Sequence, residues 1–258
     1  MARKNKYDQT IEKVFFSHYK KGRKKFSFSR KEIEKSGVKN VGDIIYTYRY
    51  RGQLPPRILE TAPQSLEWLI RPEGIGKYRF ELQKEFNITP NTNIAETKIL
   101  DASPGFIVKY ALNDEQALLA KVRYNRLIDV FTGLTCYSLQ NHLRTTVKGI
   151  GQVETDEIYV GVDRRGAHYV IPVQAKGGND KIGRIQIEQD IALCKEKFSK
   201  LIPKPVAAQF IDPHLIALFE FVEQRGQLKI AVEKHYRLVS PDDLSDDELE
   251  QYKESSFG

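Results

Sequence analysis

Apolar positions recur at helical spacing near the start of the chain. Ile11, Val14, Phe15 and Tyr19, with His18, fall on one face and predict an amphipathic helix over 9–20. Ser29 followed by Glu32 forms a capping box for a short helix through Lys35, ended near Gly37. The stretch DIIYTYRYRG reads as extended, and Leu54-Pro55-Pro56 interrupts it. Trp68-Leu69-Ile70 and Tyr78-Arg79-Phe80 predict two strands joined by a turn that contains Pro72, Gly74 and Gly76.

Residues 86–105 carry NITPNTN and DASPG, a polar, proline-interrupted connection that marks a domain boundary. From Asn113 the pattern turns helical, with Leu118, Leu119, Val122, Leu127, Ile128 and Phe131 as the apolar face and Gly133 as its end. A second helix is expected over 135–145. Strands follow at 153–162 and 168–174, joined by the turn Asp163-Arg164-Arg165-Gly166. A short strand at 184–188, a helix over 189–199, and strands at 206–211 and 216–221 complete the pattern. The expected fold class is α/β, and no internal repeat is visible. Helices followed by a hairpin is also the order of a winged helix, so three regions are expected. These are a basic, winged-helix-like DNA-reading domain over 1–90, a mixed α/β domain over 91–240 and an acidic, disorder-prone tail over 241–258.

Composition narrows the class. Across 258 residues, 40% are hydrophobic and 29% charged, which suits a soluble protein with a real core. No run reaches the length of a membrane span, and no apolar segment follows the basic start MARKNKYDQT, so neither membrane nor secretory signal is expected. Cys136 and Cys194 are the only cysteines, which points to a reducing cytoplasmic setting and to buried thiols rather than a disulfide framework. The net charge of +7 is unevenly placed: residues 1–50 carry fourteen Lys or Arg against five Asp or Glu, and 241–258 carry seven acids against one lysine. A polyanionic partner for the basic half follows.

The segment VETDEIYVGVDRRGAHYVIPVQAKGG carries the candidate chemistry. Strand alternation puts Glu154, Asp156, Ile158 and Val160 on one face, with Glu157 opposite. On the following strand Gln174 and Lys176 share a face and Ala175 points away. If the two strands splay toward one cleft, an acid, an amide oxygen and a lysine converge on one phosphate. Asp156 would then bind Mg²⁺ through hard oxygen, with the Gln174 side-chain carbonyl and the Ala175 backbone carbonyl as further ligands. Lys176 would orient or help deprotonate the attacking water and stabilise the transition state. Glu154 is a candidate supporting residue, and Glu188 reads as structural. The five histidines show no metal-binding spacing, and Gly177-Gly178 lacks the GKS/T of an ATP site.

The pattern of Asp156 followed by Gln174-Ala175-Lys176 resembles the PD-(D/E)xK nuclease superfamily, which includes most type II restriction endonucleases. The likeness spans roughly residues 110–220. It implies a restriction-endonuclease-like core with a central mixed sheet flanked by helices. It adds Glu115, at the start of the preceding helix, as a third acid beside the metal. Gln174 stands where the superfamily usually has an acid, as in the QxK branch that includes methylation-directed restriction enzymes. The amide keeps an oxygen and removes a charge. The resemblance implies Mg²⁺-dependent, sequence-specific cleavage of double-stranded DNA to 5′-phosphate and 3′-hydroxyl ends, by a homodimer in a prokaryotic cytoplasm. A repair or junction-resolving nuclease, and a non-catalytic winged-helix DNA-binding protein with a nuclease-like domain, are the alternatives. Expected DNA contacts are Lys24, Lys25, Arg30, Lys31 and Arg49, together with Arg164 and Arg165 in the hairpin turn beside the site.

Overall fold

The computed structural model describes residues 6–38, 40–51, 53–86, 88–110, 115–177 and 181–255. Asn113 and Gly178 therefore lie outside the described residues, as do the side chains of Tyr50 and Arg51. The chain divides into two compact units. The first comprises residues 1–88 with 144–154 and 183–192, and the second comprises 89–143, 155–182 and 193–258.

The first unit begins with α1 (Lys6–His18), β1 (Lys25–Ser29), α2 (Arg30–Glu34), α3 (Val41–Tyr46) and a π-helical turn over Thr47–Arg51. It continues through α4 (Pro56–Leu59), β2 (Leu66–Pro72) and β3 (Lys77–Lys84). The three strands form an antiparallel sheet in the order β1-β3-β2. Ser29 and Glu32 cap α2 as the sequence requires: the backbone N–H and the hydroxyl of Ser29 both donate to Glu32 Oε2, at 2.7 and 2.8 Å. The DIIYTYRYR part of the stretch expected to be extended is helical; Gly52 lies outside the described residues. Asn40 Oδ1 accepts from the Asp43 N–H at 3.2 Å, and Val41, Ile44 and Ile45 then reach the core at helical spacing. Tyr48 donates to Asp8 Oδ1 at 2.5 Å and ties the π-helical turn to α1. Phe15 sits at the centre of this unit, its ring 5.0 to 5.2 Å from those of Phe26, Trp68 and Phe80. Burying each such ring contributes about 2–3 kcal/mol.

The second unit opens with β4 (Glu96–Leu100), α5 (Gly105–Tyr110), α6 (Glu115–Tyr124) and α7 (Leu127–Thr132). Arg126, at φ +49°, separates α6 from α7, and Gly133, at φ +68°, closes α7. Next come β5 (Thr135–Val147), β6 (Gly151–Val162), β7 (His168–Lys176) and α8 (Arg184–Lys197), of which residues 144–147, 151–154 and 184–192 are counted in the first unit, then β8 (Ile202–Pro203), β9 (Val206–Asp212), β10 (Leu215–Gln224), β11 (Gln227–Val239) and α9 (Asp246–Ser255). The main sheet runs β4-β11-β10-β9-β7-β6-β5, with β8 beside β7. It is mixed: β4 with β11 and β7 with β9 are parallel, while β6–β7, β9–β10 and β10–β11 are antiparallel. One face carries Ile171, Val173 and Ala175, then Val206 and Ala208, then Ile216 and Leu218, then Tyr236 and Leu238. Each set is spaced by two, and together they pack against Leu118, Leu119 and Val122 of α6 and Leu127 and Ile128 of α7. The fold is thus α/β with a central mixed sheet flanked by helices.

Three expectations of secondary structure are corrected here. Residues 135–147 form the edge strand β5, not a helix. Residues 184–188 are the first turns of α8, not a strand. Within the acidic tail, Asp246–Ser255 form α9: Ser245 and Glu248 cap it, Lys98 Nζ meets Glu248 Oε1 at 2.7 Å, and Tyr252 Oη accepts from the Lys98 N–H at 2.9 Å. Acids gathered in the first turn of a helix interact favourably with its dipole, so the charge that suggested disorder supports the helix. No helix among the described residues is long and apolar enough to cross a membrane.

Candidate active site

The β6–β7 ladder ends before the strands do. Paired residues run from Val162↔His168 to Glu157↔Val173 and stop there. One register step further, Asp156 and Gln174 would face each other, but the strands part. The N–H of Ala175 points toward β6 and finds no backbone carbonyl; it donates instead to Asp156 Oδ2 at 2.8 Å. Meanwhile Lys176, the last residue of β7, reaches Glu115 at the start of α6, with Nζ 3.1 Å from Oε1. The Lys176 side chain is 12% exposed and that of Glu115 40%, so this ion pair sits at a rim where water enters. All these residues belong to the second unit.

Burial pushes the Asp156 carboxyl above the ordinary aspartate range, and the nearby charge of Glu115 acts in the same direction. The Ala175 N–H, Lys176 and His142 oppose it. Two acids within electrostatic reach, one of them desolvated, form a setting that a cation would relieve. Of the expected donors, the Asp156 and Glu115 carboxylates lie within electrostatic reach of each other, with Ala175 bonded to Asp156 through its N–H and Gln174 buried next to it; all would offer hard oxygens. Among the described residues, no three His, Cys, Asp or Glu side chains gather into a metal-holding group. A cation here would rest on two carboxylates and neutral oxygens.

Gln174 is 1% exposed, held within the sheet beside Ala207 of β9 in the parallel ladder. Glu157, on the opposite face from Asp156, is fully buried for a different purpose. Arg123 of α6 clasps it through Nε and Nη2 at 3.1 and 3.0 Å, and Ser138 donates to it at 2.5 Å. Glu154 and Glu188 belong to the first unit, where Glu154 pairs with Arg144 and Glu188 with Arg71 and Arg184.

His142 and Gln116 are additions that spacing did not show. Gln116 Nε2 lies 2.9 Å from His142 Nε2, and His142 occupies a left-handed backbone conformation at φ +47°. The only available signal was that Gln116 follows Glu115. His142 comes from β5, which the sequence pattern had assigned to a helix.

The expected DNA-contacting residues divide. Lys24, Lys25, Arg30 and Lys31 are exposed in the first unit, whereas Arg49 is half-buried in the π-helical turn. Arg164 and Arg165 are exposed, but their turn closes the paired end of the hairpin, opposite the splayed end. Six residues of strand separate Val162 from Asp156, roughly 20 Å. The turn is therefore not beside the site, because a hairpin's connection and its open end lie at opposite ends of the strands.

No protein-family model, no curated protein and no solved structure matches the chain.

Proposed function

We propose that this chain is a Mg²⁺-dependent, site-specific endonuclease of double-stranded DNA, of the type II restriction kind. In this reading the second unit is a restriction-endonuclease-like core and the first a winged-helix-like DNA reader. The observation that carries it is the convergence at the splayed end of β6 and β7, with Asp156 on the Ala175 N–H and Lys176 on Glu115. A helix-borne acid, a strand acid and a strand-end lysine gather there on an oxygen-rich rim. The order helix, strand, two helices, π-helical turn, short helix and hairpin in the basic first unit supports the DNA-reading half.

Asp156 and Glu115 would hold Mg²⁺, with the Ala175 carbonyl and the Gln174 amide oxygen as neutral donors. When bound, the ion supplies Lewis acidity at the scissile phosphate. The Ala175 N–H holds the Asp156 carboxylate at the splayed end of the strands until that oxygen is drawn away by the cation. Lys176 exchanges Glu115 for the phosphate, orients the attacking water and offsets charge that builds on the phosphoryl oxygens. Water oxygen bonds to phosphorus as the P–O3′ bond breaks, leaving a 5′-phosphate and a 3′-hydroxyl. Cutting both strands calls for two such sites, hence a homodimer.

The test is incubation of the protein with varied duplex DNA, unmodified and methylated, in Mg²⁺ or EDTA, beside Asp156→Ala and Lys176→Ala. Discrete fragments that require Mg²⁺ and fall by at least about a hundredfold in both variants are expected. A non-catalytic DNA-binding protein is the second reading, favoured by a buried amide at Gln174 where an acid is expected. Tight, metal-independent binding with no cutting of any substrate would establish that reading instead.

A further inference from the structure

In the first unit, the turn between β2 and β3 holds Ile75 completely in water, at 100% exposure. Among the described residues of 6–88, the other exposed large apolar side chains, Phe16, Tyr46 and Leu59, are each 37% exposed. Leaving an isoleucine in water rather than burying it forgoes about 2 kcal/mol. The turn itself does not call for it. Gly74 and Gly76 supply the positive φ angles, +107° and +66°, and any polar residue would fit between them.

The fold nevertheless braces this tip. The Glu73 N–H donates to the Lys77 carbonyl at 2.9 Å and the Lys77 N–H to the Gly74 carbonyl at 3.2 Å. From outside the hairpin, the Arg30 N–H donates to the Gly76 carbonyl at 2.8 Å. A Cβ on Gly76 would lie 3.7 Å from the Arg30 Cβ, so the first residue of α2 sits directly under the turn. Ser27 and Arg79 both bind the Glu73 carboxylate, at 2.6 Å each, which anchors the turn's base to β1 and β3. A side chain on such a support is presented, not merely left out.

What surrounds the tip indicates what it meets. Lys31 and Lys77 are exposed, Arg30 is exposed and paired with Glu34, and Glu73 is engaged by Arg79. A stable protein interface needs roughly 800 Å² per partner, far more than one side chain can offer. A single branched aliphatic group two residues from Lys77, on a turn braced by the first residue of α2, has the dimensions of a wedge between adjacent base pairs.

Building on the duplex-DNA reading above, we propose that Ile75 is a wedge that enters the minor groove and partly unstacks one base step. Arg30, Lys31 and Lys77 hold the flanking phosphates. The wedge unwinds the duplex locally, and this deformation, not hydrogen bonding to base edges, is what the hairpin contributes to site choice.

The test uses the full chain and closed circular plasmid in EDTA, where no cutting occurs. The plasmid is relaxed by a metal-independent topoisomerase with the protein bound and then stripped of protein. Wild type is expected to shift the linking-number distribution. Ile75→Ser should lose the shift and bind duplex roughly tenfold more weakly by fluorescence anisotropy, while Ile75→Leu keeps both. Because residue 75 touches nothing in the fold, Ile75→Ser should melt at the wild-type temperature. If Ile75→Ser binds and unwinds as wild type does, the wedge is overturned and the duplex-DNA reading survives. Failure of wild type to bind any duplex, at low salt and in EDTA, would overturn the reading and the wedge together. If Ile75→Ser leaves DNA binding intact but abolishes self-association by sedimentation, the side chain serves a second copy and the wedge is likewise overturned.

Discussion

Gln174 decides how much negative charge the candidate site carries before any cation arrives. It is 1% exposed and stands one register step beyond the last β6–β7 pair, opposite Asp156. An amide there costs little to bury when hydrogen-bonded, whereas a carboxylate would add a second desolvated charge beside an acid that burial already pushes upward. Gln174→Glu should therefore destabilise the metal-free protein by about 1–3 kcal/mol, and millimolar Mg²⁺ should recover much of that loss. Urea denaturation with and without Mg²⁺ checks this. Equal destabilisation in both conditions would mean that residue 174 does not face the cation. Lys176→Ala differs in kind: it removes the partner of an acid at the watery rim, so it should spare stability while removing cleavage.

α6 has two duties, and they are carried by residues eight positions apart. Glu115 at its first position meets Lys176, and Arg123 near its end locks onto Glu157 inside the sheet. Glu157 is wholly buried, but Arg123 is 38% exposed, so loss of the pair is softened by water reaching the acid. Arg123→Ala should cost about 2 kcal/mol and lower cleavage further, by loosening the helix that positions Glu115. Chemical denaturation and initial cleavage rates separate the two effects. This element also shows what was legible in the sequence. The leucines of α6 and the alternation of β6, β7, β9 and β10 declared themselves by period, and with them came Asp156, Gln174 and Lys176 as candidates, while Glu115 was added by the resemblance alone. β5 did not, because its solvent-facing side carries Tyr137 and Leu139 at 63% and 53% exposure and so blurs the alternation of an edge strand. α8 misled in the opposite way. Ile185 and Ile187 alternate like a strand, yet Ile185, Gln189 and Leu193 are buried along one side of the helix and Ile187, Asp190, Ile191 and Cys194 along another, which erases the amphipathic period. His142 was hidden with β5, since its place near Asp156 depends on that strand lying beside β6.

Across the molecule, most perturbed carboxylates are depressed by partners. Side-chain hydrogen bonds from Arg237 and Lys98 hold Glu96 and Glu248 below their ordinary range. Glu81 and Asp212 are also low, because Arg79, Arg237 and backbone N–H groups outweigh the opposing effect of burial. Their folded values lie below the unfolded ones. The stability they supply is present above about pH 4 and is lost as pH falls through the folded values. Glu67 has the opposite sign: burial raises it, so its ionisation opposes folding as pH climbs above the unfolded glutamate value. Glu67→Gln should raise the melting temperature at pH 7 and have little effect near pH 3.5, which a pH series of thermal melts would show. A gain of equal size at both values would assign the effect to packing, not charge.

The bond from the Ala175 N–H to Asp156 turns one backbone amide into a sensor. Its proton is guarded by a carboxylate and not by the sheet's ladder, so its exchange with deuterium follows what that carboxylate is doing. An ion that draws the Asp156 oxygen toward itself should expose this amide while its neighbours in β7 stay protected. Exchange would quicken at one position with rising Mg²⁺, in the absence of DNA and without turnover. Unchanged protection at saturating Mg²⁺ would mean that Asp156 keeps its grip on the backbone and that the ion binds elsewhere. The strands' early parting thus provides a way to watch the site fill in solution, one proton at a time.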